Sequence, residues 1–249
     1  MIVTLDIGNS RPNYCTFQNS QITAHEILAT PLLLKPEDHY ICSKVGRLDP
    51  DNYIRGGIEL PFPKFHQQGD KNYFLDMPVH YSETLGQDRL ATTYAYFGGS
   101  LKLNSRVALI LDAGTFLTVD LVSKKDGFLG GYIFPGIDGY YQNYKAGAKL
   151  PHPDQLKTRE ADALPHNFEI PHDTLSAIEM SYFHALESLI LRLVKKYGAD
   201  VLILTGGSAL QLMQKLTSAD EALPAFHHAS TLVHQGLLSI SKKLLEVSQ

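Results

Sequence analysis

The chain has 249 residues, 44% of them hydrophobic, and a formal net charge of −4. That length holds one large domain or two small ones with real cores, and the apolar share excludes a disordered chain. No basic excess or Lys/Arg run points to nucleic acid or a membrane surface, and no apolar stretch approaches the ~18 residues of a spanning helix.

The first residues, Met1 to Leu5, predict a short apolar strand running into Asp6-Ile7-Gly8-Asn9-Ser10. The segment lacks the basic start and cleavage site of a signal peptide. Asn13 to Phe17 and Ile22 to Ile27 predict two further strands around the turn-forming Asn19-Ser20. Cys15 and Cys42, the only cysteines, show no metal spacing, and two thiols in a chain of this length point to a reducing compartment, the cytoplasm. His39 to Val45 predicts another strand. Residues 49 to 76, rich in Pro, Gly and charge, predict loops with short strands. Arg89 to Phe97 predicts a helix closed by Gly98-Gly99.

At Val107 the pattern starts again. Val107 to Leu111 runs into Asp112-Ala113-Gly114-Thr115; Phe116 to Val122 follows as a strand, and Asp126-Gly127 turns the chain into Phe128 to Phe134. The repeat of strand, Asp-x-Gly turn and two strands predicts an internal duplication with a boundary near Ser105, giving domains 1–105 and 106–249. Leu175 to Tyr197 predicts a long amphipathic helix with Lys195 and Lys196 in its last turn and Gly198 as its stop. Ala199 to Leu204, Ser208 to Leu216 and Thr231 to Val247 predict a buried strand and two helices. Strands followed by helices in each half give an α/β class.

The chain lacks the P-loop, dinucleotide, HExxH and GxSxG patterns. Its eleven histidines are scattered and read as surface or core residues; His227-His228, taken as helical neighbours, do not face one site. The Asp-x-Gly turns remain. A glycine after a buried strand lets backbone N–H groups approach a phosphate, Asn9 and Ser10 add neutral donors, and Asp6 can hold Mg²⁺ directly or through water. Asp, Gly, Asn and Ser also belong in an ordinary β-turn. Asp112 to Thr115 repeats the device, and two such turns facing across a cleft can clasp a triphosphate. Thr205-Gly206-Gly207 is a third glycine turn, suited to a nucleotide at a helix start or to a plain βα loop. In Gly86-Gln87-Asp88-Arg89, Asp88 is either a general base for a hydroxyl or a first-turn helix acid, and Arg89 can pair with a substrate carboxylate. Thr174 caps the long helix or binds a ligand there. Gly130-Gly131-Tyr132-Ile133-Phe134-Pro135-Gly136 is a strand bounded by glycines, either a hairpin or room for a substrate chain.

In this order, Asp6–Ser10, Gly86–Arg89, Asp112–Thr115, Gly130–Gly136 and Thr205–Gly207 resemble the type III pantothenate kinase family of the actin-like, sugar-kinase and Hsp70 ATPase superfamily. Each piece alone is common; the ordered set, with Gly-x-Asp-Arg between two Asp-x-Gly turns, is specific. The resemblance implies two RNase H-like domains with ATP in their cleft, and phosphorylation of pantothenate to 4'-phosphopantothenate in the first step of coenzyme A synthesis. It implies that Asp6, Ile7, Gly8, Asn9, Ser10, Arg11, Pro12, Asn13, Thr115, Gly206 and Gly207 bind ATP. Asp88 would accept the hydroxyl proton, and Tyr81, Gly86, Gln87, Arg89 and Thr174 would line the pantothenate site. Asp112 would hold a monovalent cation, K⁺ or NH₄⁺, and Asp6 would serve Mg²⁺. A homodimer with the site at its interface is also implied. The chain departs from the family pattern at Pro12, at Tyr81 (no Tyr-x-x-Pro), at Asp173 in place of Asn, and at Ser181 in place of Gly. Two alternatives stand beside this expectation: a non-catalytic regulatory relative acting through a protein partner, and an actin-like kinase for another small hydroxylated substrate.

Overall fold

The computed structural model describes residues 1–8, 12–45, 49–147, 150, 170–216 and 223–247. Contacts divide the chain into two compact units: Met1–Asn104, Val122–Gly130 and Thr231–Gln249 in the first, Ser105–Leu121 and Gly131–Ser230 in the second. The first unit takes in two later segments, so its limits differ from the single cut expected near Ser105. The fold class is mixed α/β, as expected.

Unit 1 is organised by β1 (Ile2–Ile7), which pairs antiparallel with β2 (Asn13–Gln18) and parallel with β5 (His39–Lys44). With β3 (Gln21–Ile27) and β7 (Ile58–Glu59) these form a sheet in the order β3-β2-β1-β5-β7. Asn19 and Ser20 both have positive φ, the two-residue hairpin turn that their sequence predicts. On one face of β1, Val3, Leu5 and Ile7 are fully buried and pack with Leu28, Cys42 and Ile54. Each such aliphatic side chain contributes roughly 1.5–3 kcal/mol through burial. On the other face, Thr4 is also fully buried. Burial on both faces is why β1 reads as a continuous apolar run rather than an alternation.

Helices α1 (Gln87–Phe97) and α5 (Leu232–Val247) pack against each other, and α5 also packs on β1. The buried residues Leu90, Ala91, Tyr94 and Ala95 lie on α1, and Leu232, Leu237 and Ile240 on α5. The Lys124 ammonium donates to the Tyr96 and Phe97 carbonyls, capping the negative end of α1. Residues 49–79 hold a 3-10 turn and the short strands β6 (Ile54–Arg55), β8 (His66–Gln68), β9 (Lys71–Phe74) and β10 (Met77–Val79), besides β7. β6 pairs parallel with β4 (Leu32–Leu33), and β10 joins β13 (Gly127–Pro135) through Val79 and Phe128.

In unit 2, β11 (Val107–Ala113), β12 (Phe116–Ser123), β14 (Val201–Thr205) and β15 (Ala225–His228) lie in the order β15-β14-β11-β12. β14 is parallel to both β11 and β15. Ala108 to Leu111 and Leu202 to Leu204 are fully buried. The Asp200 carboxylate accepts the Arg106 and Val107 N–H groups, tying the start of β14 to the start of β11. His227 and His228 therefore sit on a strand and not on a helix; neighbours there still point to opposite faces. The long helix α3 (Thr174–Tyr197) ends at Gly198 in the left-handed region, as its sequence predicts. Helices α2 (Ile137–Gln142) and α4 (Ala209–Leu216), with a 3-10 turn over Asn143–Ala146, complete the described elements. Among the described residues, no helix is long and apolar enough to cross a membrane.

Candidate active site

Unit 1 brings Asp6 and the Gly86–Arg89 tetrad together. Asp6 lies at the C-terminal end of β1, opposite Asn13 on β2 and Ser43 on β5. Among the described residues, its buried Oδ1 has no hydrogen-bond partner, and neither has Ser43 Oγ. Burial, together with the nearby Asp88 carboxylate, pushes the Asp6 carboxyl up to about 6, against a hydrogen bond from the Asn13 side chain that lowers it. A carboxyl near 6 is mostly ionised at neutral pH.

Gly86 is the N-cap of α1, and Asp88 stands in the first turn. The Asp88 carboxylate accepts the Arg89 N–H at 2.7 Å, so it does occupy the helix-acid role. It is also close enough to Gly86 that a β-carbon there would meet Asp88 Oδ1 at 2.5 Å. A side chain at position 86 would displace the carboxylate. Burial raises the Asp88 carboxyl above its ordinary value, opposed by the Arg89 N–H and guanidinium. A carboxylate biased toward taking a proton suits a general base. Gln87 Oε1 accepts the Lys44 N–H at 2.7 Å, anchoring the start of α1 to the end of β5.

Arg89 is buried, its guanidinium over the Tyr81 ring at 5.4 Å and over the Phe128 ring at 5.7 Å. The two rings meet edge-on. The aromatic pair fixes the guanidinium by cation–π contact. Tyr81 thus reaches the tetrad although its sequence context departs from the family pattern.

Around Asp6, Ile7 is fully buried and offers only its backbone, while Gly8 is partly exposed. Pro12 is buried, lacks an N–H, and accepts the Leu28 N–H through its carbonyl. Asn9, Ser10 and Arg11 lie outside the described residues.

Asp112, Thr115, Gly206, Gly207 and Thr174 all belong to unit 2. Asp112 is half-buried at the end of β11, in register with Thr205 of β14. Gly206 has φ +89°, and a β-carbon there would meet Asp112 Oδ1 at 2.6 Å and the Ala113 carbonyl oxygen at 2.7 Å. The strand-end turn therefore presses a glycine backbone against a carboxylate, a geometry closed to any larger residue. Thr115 is exposed, and its carbonyl accepts the Gly136 N–H. The second turn thus lies beside the glycine that ends the Gly130–Gly136 strand. Gly207 is exposed after Gly206.

Asp173, not Thr174, caps α3: its carboxylate accepts the Ser176 N–H at 2.9 Å and the Ser176 hydroxyl at 2.6 Å. Thr174 is the first helical residue and is exposed, so the capping alternative is removed and its hydroxyl stays at the surface. Ser181 hydrogen-bonds Tyr140 Oη at 2.7 Å, which gives its hydroxyl a use that a glycine lacks.

A family model for type III pantothenate kinase matches residues 32–196. The chain belongs to the type III pantothenate kinase family. Membership of this kinase family implies use of ATP. The type III pantothenate kinase of Flavobacterium johnsoniae is 27% identical over 231 residues, covering 87% of this chain and 89% of its own length. That of Acinetobacter baylyi is 30% identical, with 82% and 85% covered. That of Rhodopirellula baltica is 31% identical, covering 67% of this chain and 58% of the relative. Among solved structures, a Campylobacter jejuni protein described as a conserved putative Baf family transcriptional activator superposes with a TM-score of 0.59 at 19% identity, covering 98% of this chain and 99% of that one. The ROK hexokinase of Thermus thermophilus superposes at 0.51 and 13% identity, with 99% of each chain covered. These likenesses establish an actin-like two-domain fold for this member of the type III pantothenate kinase family.

Proposed function

We propose that the chain is an ATP-dependent pantothenate kinase that transfers a phosphoryl group to the primary hydroxyl of pantothenate, giving 4'-phosphopantothenate for coenzyme A synthesis. The observation that carries this reading is the pairing, within unit 1, of an ionised Asp6 with a buried unpartnered oxygen and a proton-seeking Asp88 beside a buried arginine.

The residues fit the groups the reaction needs. Asp6 Oδ1 lacks a partner, which suits Mg²⁺ held directly or through water. The Asp112 carboxylate and the Ala113 carbonyl oxygen both lie beside Gly206, oxygen donors of a kind that suits K⁺ or NH₄⁺. When bound, these cations neutralise charge on the phosphates. Backbone N–H groups from Asp6 to Asn13, excepting Pro12, together with Thr115, Gly206 and Gly207, hold the nucleotide. Arg89, fixed by Tyr81 and Phe128, orients the pantothenate carboxylate; Gly86, Gln87 and Tyr81 line the same site, and Thr174 contacts pantothenate across a homodimer interface. Asp88 accepts the hydroxyl proton as the acceptor oxygen attacks. Phosphoryl transfer asks for positioning and charge stabilisation more than covalent chemistry, and these residues supply both. Two buried free thiols, Cys15 and Cys42, accord with a cytoplasmic location.

ADP release measured with pantothenate, pantetheine and a set of sugars tests the reading. Release dependent on pantothenate is expected; release only with a sugar, or none from folded protein, would replace it with another kinase or a non-catalytic relative.

A further inference from the structure

Behind Asp6 lies a polar chain that runs from Asn13 to residues outside every sequence motif. His234, on α5, is 2% exposed. Its Nδ1 lies 2.8 Å from the Thr4 hydroxyl and its Nε2 lies 2.5 Å from Asn13 Oδ1. Asn13 in turn hydrogen-bonds Asp6. The donors follow from the acceptors. A carboxylate needs a donor, so the Asn13 amide N–H faces Asp6 and Oδ1 faces the histidine. That oxygen only accepts, so His234 Nε2 carries the proton, Nδ1 is the acceptor, and the Thr4 hydroxyl donates.

We infer that His234 is a positioning residue, which holds the Asn13 amide, and through it the Asp6 carboxylate, in the orientation that presents Asp6 Oδ1 to its ligand. The inference rests on the kinase reading of Asp6.

Three observations support it. Both ring nitrogens are engaged, so the ring cannot turn without breaking a buried hydrogen bond at each end. Burial and the neighbouring His25 ring hold His234 down to about 3, so it stays neutral with a single N–H through the physiological range. Thr4 and Asp6 lie on the same face of β1, two residues apart, so α5 reaches the site along one side of one strand. A metal centre is the other reading of this neighbourhood, because ligand atoms of Cys15, His25 and His234 lie within 4.8 Å of one another. The hydrogen bonds at both His234 nitrogens favour the relay. So does the Cys15 thiol, which burial pushes up to about 12, away from the thiolate that a metal binds.

The test reads the Asn13 side-chain amide directly, by ¹H–¹⁵N NMR of the full chain, with its NH₂ pair assigned by loss of the signals in Asn13→Ala. In wild type the two amide protons should be well separated and slow to exchange with water. His234→Ala should collapse that separation and speed the exchange by about tenfold or more, the loss of one buried hydrogen bond. His234→Gln, which keeps an N–H at the Nε2 position, should restore most of both, and Asp6→Asn should shift the same pair from its other side. Unmoved Asn13 amide signals in folded His234→Ala, or no recovery in folded His234→Gln, overturn the relay. Failure of the kinase reading shows separately, as no pantothenate-dependent ADP release from wild type, while the amide signals still decide whether His234 holds Asn13 against Asp6.

Discussion

In the proposed reaction, two carboxylates in unit 1 have opposite tasks. Asp88 is expected to take a proton, so Asp88→Asn should keep the fold and lose ~10²-fold or more in turnover, read as kcat at saturating substrate. Near-normal turnover would remove Asp88 from the mechanism. Asp6 must stay charged in a setting that disfavours charge. A carboxyl raised from 3.8 to about 6 by folding contributes stability that is complete below about pH 3.8 and lost as pH rises through about 6. Asp6→Asn should therefore stabilise the unliganded protein by roughly 1–3 kcal/mol at pH 7.5 and by nothing near pH 3.5, while impairing Mg-nucleotide binding. Denaturant melts at the two pH values check the first part and nucleotide titration the second. kcat/KM for MgATP should fall as pH drops through about 6, where Asp6 of the free protein protonates. Asp6 and Asp88 were legible in the sequence because each sits beside a glycine at an element end. His234 was not: its partners Thr4 and Asn13 are more than 200 residues away, and a histidine in an apolar helix carries no sign of what it touches.

Elements were legible where periodicity and stop signals agree. β1, β2, β3, β5, α1 and α3 lie within about two residues of their expected limits, because turn residues and glycines mark their ends. α2, β10 and β15 left no comparable signal. α2 is six residues long and contains Gly139, β10 is three residues around Pro78, and β15 is four residues whose histidines suit helix and strand alike. One packing feature at this scale makes a stability prediction. Lys215 of α4 and Glu179 of α3 form an ion pair at 3.1 Å with both side chains under 5% exposed. Removing one partner takes away a buried counter-charge. Lys215→Met or Glu179→Gln alone should cost about 3–5 kcal/mol, and the Lys215→Met/Glu179→Met pair should recover much of it. Equal losses in single and double variants would show that the pair is not coupled.

At the scale of the whole molecule, the α/β class was legible and the assignment of the last helix was not. An amphipathic pattern states that a helix packs, not on what; α5 buries Leu232, Leu237 and Ile240 in unit 1, where it also delivers His234. The proposed reaction draws on two kinds of cation. The oxygen donors of Asp112 and the Ala113 carbonyl predict that turnover needs K⁺ or NH₄⁺, and full rates in a sodium-only buffer would contradict that role. The central claim concerns the product. ³¹P NMR of a reaction holding the protein, ATP, Mg²⁺, K⁺ and pantothenate should show ADP and a new phosphate monoester on the pantothenate primary hydroxyl, both lost in Asp88→Asn. Folded wild-type protein that yields no such ester under these conditions would contradict the account.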